Sequence, residues 1–267
     1  MNDSIRNSLE SSRQNKLSAS EQAGMGRRSF LSSLGKATAV ALAPGVVLVG
    51  LVKARSISEP VTDTQHWGML IDANRCVRGC DECISACSGE NGLISHDRPE
   101  TDTQWIRKVT VRDLRSGHIA SLPLMCQHCK YPPCVDVCPT GASFRRADGI
   151  VLVDRHICIG CRYCMMACPY KARSFVHESV HNQKQHMPRG KGTVEGCTLC
   201  VHRIDDESPS NQIPACVDAC VSKGHSAMVF GDLEDLNSRI SMELKKYPSM
   251  ELRSDFRLEP SVRYRGV

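Results

Sequence analysis

Sixteen cysteines stand in four groups of four along the 267 residues, with none left over. The first group is Cys76, Cys80, Cys83 and Cys87, with gaps of three, two and three residues. The second is Cys126, Cys129, Cys134 and Cys138, with gaps of two, four and three, closed by Pro139. The third is Cys158, Cys161, Cys164 and Cys168, with gaps of two, two and three, closed by Pro169. The fourth is Cys197, Cys200, Cys216 and Cys220, with gaps of two, fifteen and three. Thiolates are soft, strong ligands, and four within reach of one another make the donor set of an iron–sulfur or zinc centre. Disulfides are the competing use of an even number of cysteines, but cysteines two residues apart are poorly placed to bridge.

The third group has the spacing Cys-x2-Cys-x2-Cys-x3-Cys-Pro of bacterial two-cluster ferredoxins. Two-residue gaps let a tight loop wrap three thiolates around one corner of a 4Fe-4S cube. The fourth thiolate lies about a helical turn further on, points away, and serves the neighbouring cluster. The proline then redirects the chain, having no N–H and a fixed φ. The fourth group taken alone resembles a zinc ribbon, and a structural zinc protein is the alternative it leaves open. Beside the ferredoxin run, iron is the expected metal.

Such loops need short elements to hold them. Between the second and third groups, Ala142 to Asp154 contains Asp148-Gly149 between two β-prone runs, which predicts a hairpin. Residues 120–176 then read as one ferredoxin unit. Trp67 to Ile71 and Trp105 to Arg112 read as further strands. Stretches such as Met165-Met166-Ala167 suit single helical turns, and residues 182–192 have loop composition. Leu233, Leu236, Ile240 and Leu244 are spaced as on one helix face, predicting a helix over 232–246. The tail after Pro248 is polar and is expected to run extended over a surface.

Ahead of the cysteines lies what reads as an address. Arg27-Arg28-Ser29-Phe30-Leu31 precedes an apolar stretch of 16 residues, Ala37 to Val52, and Lys53-Ala54-Arg55 closes it. That is a basic, then apolar, then small-residue sequence with paired arginines, the anatomy of a twin-arginine signal peptide spanning 1–54. Cleavage after Ala54 fits the small-residue rule. The stretch is shorter than the ~20 apolar residues of a membrane-spanning helix, although an uncleaved anchor stays open. The expected location is therefore the periplasm.

Composition removes other functions. Residues 1–54 hold seven basic and three acidic residues, so they carry most of the net charge of +5. The remainder is nearly balanced and no nucleic-acid partner is expected. There is no glycine-rich phosphate loop and no Cys-x-x-Cys-His haem site. Aromatics are only 4%, which fits an interior filled partly by cofactors. Arg75, Arg78, Lys130, Arg155, Arg162, Lys171 and Arg173 flank the cysteines and are candidates for raising cluster potentials. His128 and His202 are read as surface or hydrogen-bonding residues, since no group lacks a ligand.

Over about residues 66–236 the chain resembles the four-cluster ferredoxin-type subunits of dimethyl sulfoxide and polysulfide reductases. The resemblance rests on Cys126-Gln127-His128-Cys129, Pro133-Cys134-Val135-Asp136-Val137-Cys138-Pro139, Cys158-Ile159-Gly160-Cys161, Cys197-Thr198-Leu199-Cys200 and Pro214-Ala215-Cys216. Within that family the paired arginines, Trp67-Gly68-Met69-Leu70-Ile71-Asp72, Tyr170-Lys171-Ala172-Arg173-Ser174-Phe175 and Arg189-Gly190-Lys191-Gly192-Thr193 look most like the periplasmic subunits of the Dsr membrane complex. The resemblance implies an α+β fold of nested two-cluster ferredoxin modules with loop-rich insertions. The outer module would take residues 66–119 and 194–236, the inner one 120–176, and a C-terminal helix and extended tail 237–267.

It also implies up to four 4Fe-4S clusters. One inner cluster would take Cys126, Cys129, Cys134 and Cys168; the other, Cys158, Cys161, Cys164 and Cys138. One outer cluster would take Cys76, Cys80, Cys83 and Cys220; the other, Cys197, Cys200, Cys216 and Cys87. The first group departs from the family in its three-residue opening gap, and Cys220 is followed by Val221 rather than proline. A three-iron centre is the alternative there. The implied activity is electron transfer, with no substrate site in the chain. The implied partners are an integral-membrane, quinone-reactive subunit of the NrfD type, a periplasmic multihaem cytochrome c and the other Dsr subunits, holding the chain peripherally at the inner membrane. The same wire in a polysulfide, tetrathionate or nitrite reductase is the alternative.

Overall fold

The computed structural model describes residues 60–181, 183–206, 208 and 212–267. The arginine pair and the apolar stretch after it lie outside the described residues.

Strand β1 (Trp67–Asp72) is buried along nearly its whole length because it is the middle of a three-stranded sheet. It pairs antiparallel with β8 (Met228–Asp232), Leu70 opposite Val229, and parallel with β9 (Val262–Arg265), Ile71 opposite Tyr264. Gly68 is needed at this crossing: a Cβ there would stand 2.6 Å from the Leu233 side chain and 2.8 Å from the Ser261 carbonyl. One face of β1 presents Leu70, which packs with Val229 and the buried Ile240 of helix α6 (Arg239–Lys246). The other face sends Met69 and Ile71 into the main core with Trp105, Leu122, Met125 and Tyr264.

Around this sheet the chain is built of short pieces. Strands β2 (Arg107–Arg112) and β3 (Ile119–Leu124) form a hairpin. Strands β4 (Ser143–Arg145) and β5 (Val151–Val153) form the hairpin predicted around Asp148-Gly149. Strands β6 (Arg173–Phe175) and β7 (Val194–Gly196) pair antiparallel across the 182–192 loop. The helices that carry cysteines are α1 (Glu82–Asn91), α2 (Pro133–Asp136), α3 (Tyr163–Ala167) and α5 (Ala215–Ser222), while α4 (Val201–Ile204) begins at the residue after Cys200. Among the described residues no helix is long and apolar enough to cross a membrane.

Two expectations change. The helix over 232–246 begins only at Arg239. Asp232 ends β8, and the Ser238 hydroxyl caps the helix by accepting from the Ser241 N–H at 3.2 Å. Only Asp232 of the segment belongs to the strand; residues 233–238 turn the chain toward the helix and leave Leu236 64% exposed. The C-terminal tail does not simply run extended over a surface: a 3-10 turn, Ser254–Phe256, interrupts it, and its last strand enters the core. Val262 and Tyr264 are fully buried, and the Tyr264 hydroxyl donates to the Pro123 carbonyl and accepts from Gln127. The alternation of Val262 and Tyr264 with Arg263 and Arg265 is a four-residue strand signal, too short to be read as a core strand without its partner β1.

Candidate functional site

Helices α1 and α5 pack against each other. Cys83 and Cys87 are four residues apart on α1, as are Cys216 and Cys220 on α5, so each pair shares a helix face. Cys220 is an electrostatic neighbour of Cys76 and Cys83, which in turn neighbour Cys80. At the other end of the helix pair Cys87 neighbours Cys200, and Cys197 and Cys216 complete the group. Cys87, Cys197, Cys200 and Cys216 line one cavity. The extra residue of the first group is taken up by a turn. The Cys80 N–H donates to the Val77 carbonyl, Gly79 adopts φ +81°, and the Lys108 ammonium donates to the carbonyls of Val77 and Cys80.

The inner loops cross in the same way. Cys126 and Cys129 each have both Cys134 and Cys168 as neighbours. Cys138 joins Cys158, Cys161 and Cys164 around a second cavity. The loop from Cys158 to Cys161 turns at Gly160, φ +68°, where a Cβ would meet the Gly192 carbonyl oxygen at 2.0 Å. Cys129 also bridges to Pro260, and Ser261 binds beside it: its N–H donates to the Gln127 carbonyl and its hydroxyl to the His128 carbonyl. The C-terminal strand therefore holds the Cys126–Cys129 loop.

The four sets stand in a row. Cys83 neighbours Cys87, Cys197 neighbours Cys126, and Cys134 neighbours Cys164. Cys161 is exposed, Cys76, Cys80, Cys138 and Cys158 are half-buried, and the other eleven are buried. The more open thiols belong to the two ends of the row.

All sixteen thiols are free, and their surroundings fit an anionic metal–sulfur group. Backbone N–H groups point at sulfur: Ser143 to Cys138 at 3.4 Å, Ala172 to Cys168 at 3.5 Å, Val194 to Cys158 at 3.4 Å, Leu199 to Cys197 at 3.4 Å and Ala227 to Cys220 at 3.3 Å. Buried donors beside these cysteines lack any protein acceptor, among them Tyr170 Oη, Arg173 Nη1 and Thr198 Oγ1. Native interiors rarely leave such groups unpaired, and a sulfide-bearing cube supplies acceptors. Without a cation, burial pushes the thiols up, Cys83 to about 11 and Cys126 to about 12. Ligation by metal reverses that preference.

The flanking cations divide by environment. Arg155 lies toward the buried Glu195, which Arg189 grips at 2.6 Å; Lys130 pairs with Glu259 at the surface; and the Arg162 guanidinium lies over the Phe175 ring. Arg173 is the cation placed on sulfur, its Nη2 donating to Cys134 Sγ at 3.2 Å. His128 is fully buried rather than at a surface. Its Nδ1 accepts from the Val151 N–H at 3.0 Å, and burial, with Arg173 nearby, holds it neutral, lowered to about 3.

Glu90, His186 and His202 gather beside Cys200, a cluster that spacing could not reveal because its members are far apart in the chain. Glu90 is already bound through both oxygens by Arg203, and the imidazoles of His186 and His202 stack at 3.8 Å. The three side chains bring one possible ligand atom each within 4.8 Å of one another, and with Arg203 they form an ion-pair network.

The family profile of the 4Fe-4S dicluster domain matches residues 118–233. The chain is 38% identical to the Hdr-like menaquinol oxidoreductase iron-sulfur subunit 1 of Archaeoglobus fulgidus, over 90% of this chain and 97% of that protein. It is 36% identical to a tetrathionate reductase subunit of Salmonella typhimurium, over 90% and 88%. Protein NrfC of Escherichia coli is 34% identical over 88% and 93%.

Proposed function

The chain belongs to the family of ferredoxin-type 4Fe-4S subunits, and from that premise we propose that it is the electron-transfer subunit of a membrane-associated quinone oxidoreductase complex. The observation that carries this reading is the crossing of the cysteine runs, which sets the fourth thiol of each run among three thiols of another. When bound, a 4Fe-4S cube takes up and returns single electrons. The sixteen cysteines hold four such cubes in the pairing described, the helix pair and the inner loops space them in a row, and buried core excludes water from the middle two. The two ends of the row, where the thiols are more open, are the places for electrons to enter and leave. The outer module is built from 66–119 and 194–236 and the inner one from 120–176.

The partners follow from the relatives. One is named for menaquinol, which supports a quinone-reactive membrane subunit, proposed to be of the NrfD type, at one end. The sequence motifs around Trp67, Tyr170 and Arg189 favour the DsrO subunit of the Dsr complex, with a periplasmic multihaem cytochrome c and the other Dsr subunits as neighbours. The likeness to the tetrathionate reductase protein supports a second reading, the same wire in a sulfur-oxyanion reductase. The twin-arginine peptide at 1–54 delivers the folded protein to the periplasm, peripherally bound at the inner membrane through its partners.

Metal and sulfide analysis of anaerobically purified protein is the test. Four irons per cube predict about sixteen irons with matching sulfide; zinc in place of iron overturns the reading. Purification of the complex in mild detergent separates the two settings. Co-purifying multihaem cytochrome supports the Dsr assembly, and a partner that reduces tetrathionate supports the second.

A further inference from the structure

Among the cations near the cysteines, Arg173 alone is both deeply buried, 7% exposed, and bonded to a sulfur. It opens β6, five residues after Cys168, and its stem lies over Gly196, where a Cβ would be 3.5 Å from Arg173 Cδ and 2.9 Å from the Ala172 carbonyl. The close approach that calls for glycine at 196 is the Ala172 carbonyl; the arginine stem packs over the glycine at ordinary contact distance. Nη2 reaches Cys134 Sγ, and Nη1 is buried without a protein partner. No carboxylate among the described residues lies within ion-pair distance of it, in contrast to Arg146, Arg155 and Arg189. A guanidinium cannot shed its proton in a protein. Left alone in the interior, its charge would be strongly destabilising. Its neutralisation must come from the sulfur side, where it faces Cys126 and Cys134 of one inner set and Cys164 of the other.

We propose that Arg173 is a positioning and tuning residue shared by the two inner centres, raising the reduction potentials of both above the value they would have without it. This rests on the four-cube reading. Reduction adds one negative charge to a cube, and a fixed positive charge in a water-poor site favours that form. The effect is largest for the centre that includes Cys134, whose sulfur accepts the hydrogen bond, and smaller for the one that includes Cys164. The sulfurs that Arg173 faces, Cys126, Cys134 and Cys164, all belong to the inner sets, so the outer centres are expected to keep their potentials. Electrons would thus find the inner half of the row, one middle centre and the end centre next to it, lower in energy than this bare arrangement of thiolates would make it.

The test is a potentiometric EPR titration of the full four-cube protein as wild type, Arg173→Gln and Arg173→Lys, each with its iron count. In R173Q the signal that is altered by Cys126→Ser is expected to fall by about tenfold in its reduction equilibrium, about 59 mV for a one-electron couple. The signal altered by Cys158→Ser falls by less, and the other two stay in place. R173K, with a shorter stem that withdraws the charge from Cys134, falls between wild type and R173Q. Unmoved inner signals in R173Q, or outer signals that move as far, overturn the proposal. If R173Q assembles no inner cubes, R173K decides, and wild-type inner potentials there overturn it. A wild-type protein with fewer than four cubes would instead overturn the reading on which the proposal rests.

Discussion

At the scale of single residues the site depends on which thiol serves which centre. Cys168 sits with Cys126, Cys129 and Cys134 and not with the rest of its own run. Cys168→Ser is therefore expected to alter the same EPR signal as Cys126→Ser, by a shift in potential or a fall to a three-iron form, because serine oxygen is a harder ligand than thiolate. If it alters the signal that responds to Cys158→Ser, each run holds its own cube and the crossed arrangement is wrong. A second residue-scale effect is acid sensitivity at Glu90. Hydrogen bonds from Arg203, helped by His202 and opposed by burial, lower its carboxyl from 4.5 to about 2. Folding is thus favoured by its ionised form above pH 4.5, and that stabilisation fades as pH falls toward 2. Glu90→Gln is expected to cost about 1–2 kcal/mol at neutral pH, with the gap from wild type closing through that window. Rates of bleaching of the iron–sulfur absorbance, compared across pH, measure it; a gap that stays constant down to pH 2 would count against the ion pair.

At the scale of elements, short loops and strand ends do the positioning. Gly160 turns the Cys158–Cys161 loop with φ +68° against the Gly192 carbonyl, so Gly160→Ala meets both backbone strain and a 2.0 Å contact. Its expected result is loss of the cube held by Cys158, Cys161 and Cys164, seen as about four irons fewer per chain. Gly117→Ala, also at positive φ but with open space around it, serves as the control and keeps its iron. Strand β9 and the two residues before it are the other positioning element, since Pro260 and Ser261 bind the loop around Cys129. Tyr264→Phe removes one hydroxyl that serves both Gln127 and Pro123. It is expected to lower stability by about 1–3 kcal/mol through the loss of both buried hydrogen bonds, although Gln127 keeps its bond to the Met125 carbonyl. Denaturant midpoints of the holo-protein would show it, and an unchanged midpoint would mean that the tail is not part of the clamp.

At the scale of the whole molecule, metal and fold are coupled. The core is lined with cysteines from all four runs, and a metal that joins segments distant in sequence contributes to folding free energy. Chelation of iron under anaerobic conditions is expected to abolish the cooperative unfolding transition rather than shift it slightly. The proposed export belongs to the same scale, because a chain that folds around its cofactors would have to cross a membrane folded. Replacing Arg27 and Arg28 together with lysine is expected to leave the precursor in the cytoplasm; normal periplasmic accumulation would refute the assignment of the signal peptide.

Cysteine spacing alone determined the chemistry, because a ligand run is local: the Cys158–Cys168 pattern and Pro169 need no partner to be read. The β4–β5 hairpin was legible for the same reason, its turn being Asp148-Gly149 and its strands adjacent in sequence. The tertiary structure decided what depends on distant segments. It turned the end of the chain from a surface tail into β9, because the parallel pairing with β1 buries Tyr264. It shortened the α6 helix, because Asp232 ends β8 and residues 233–237 turn the chain up to the Ser238 cap. It singled out Arg173 from seven flanking cations, since burial and a 3.2 Å contact to Cys134 cannot be read from neighbours in sequence. Local spacing specifies which atoms can bind; only the packing of remote elements sets how far each charge lies from water and from the next thiol, and those distances govern its energy.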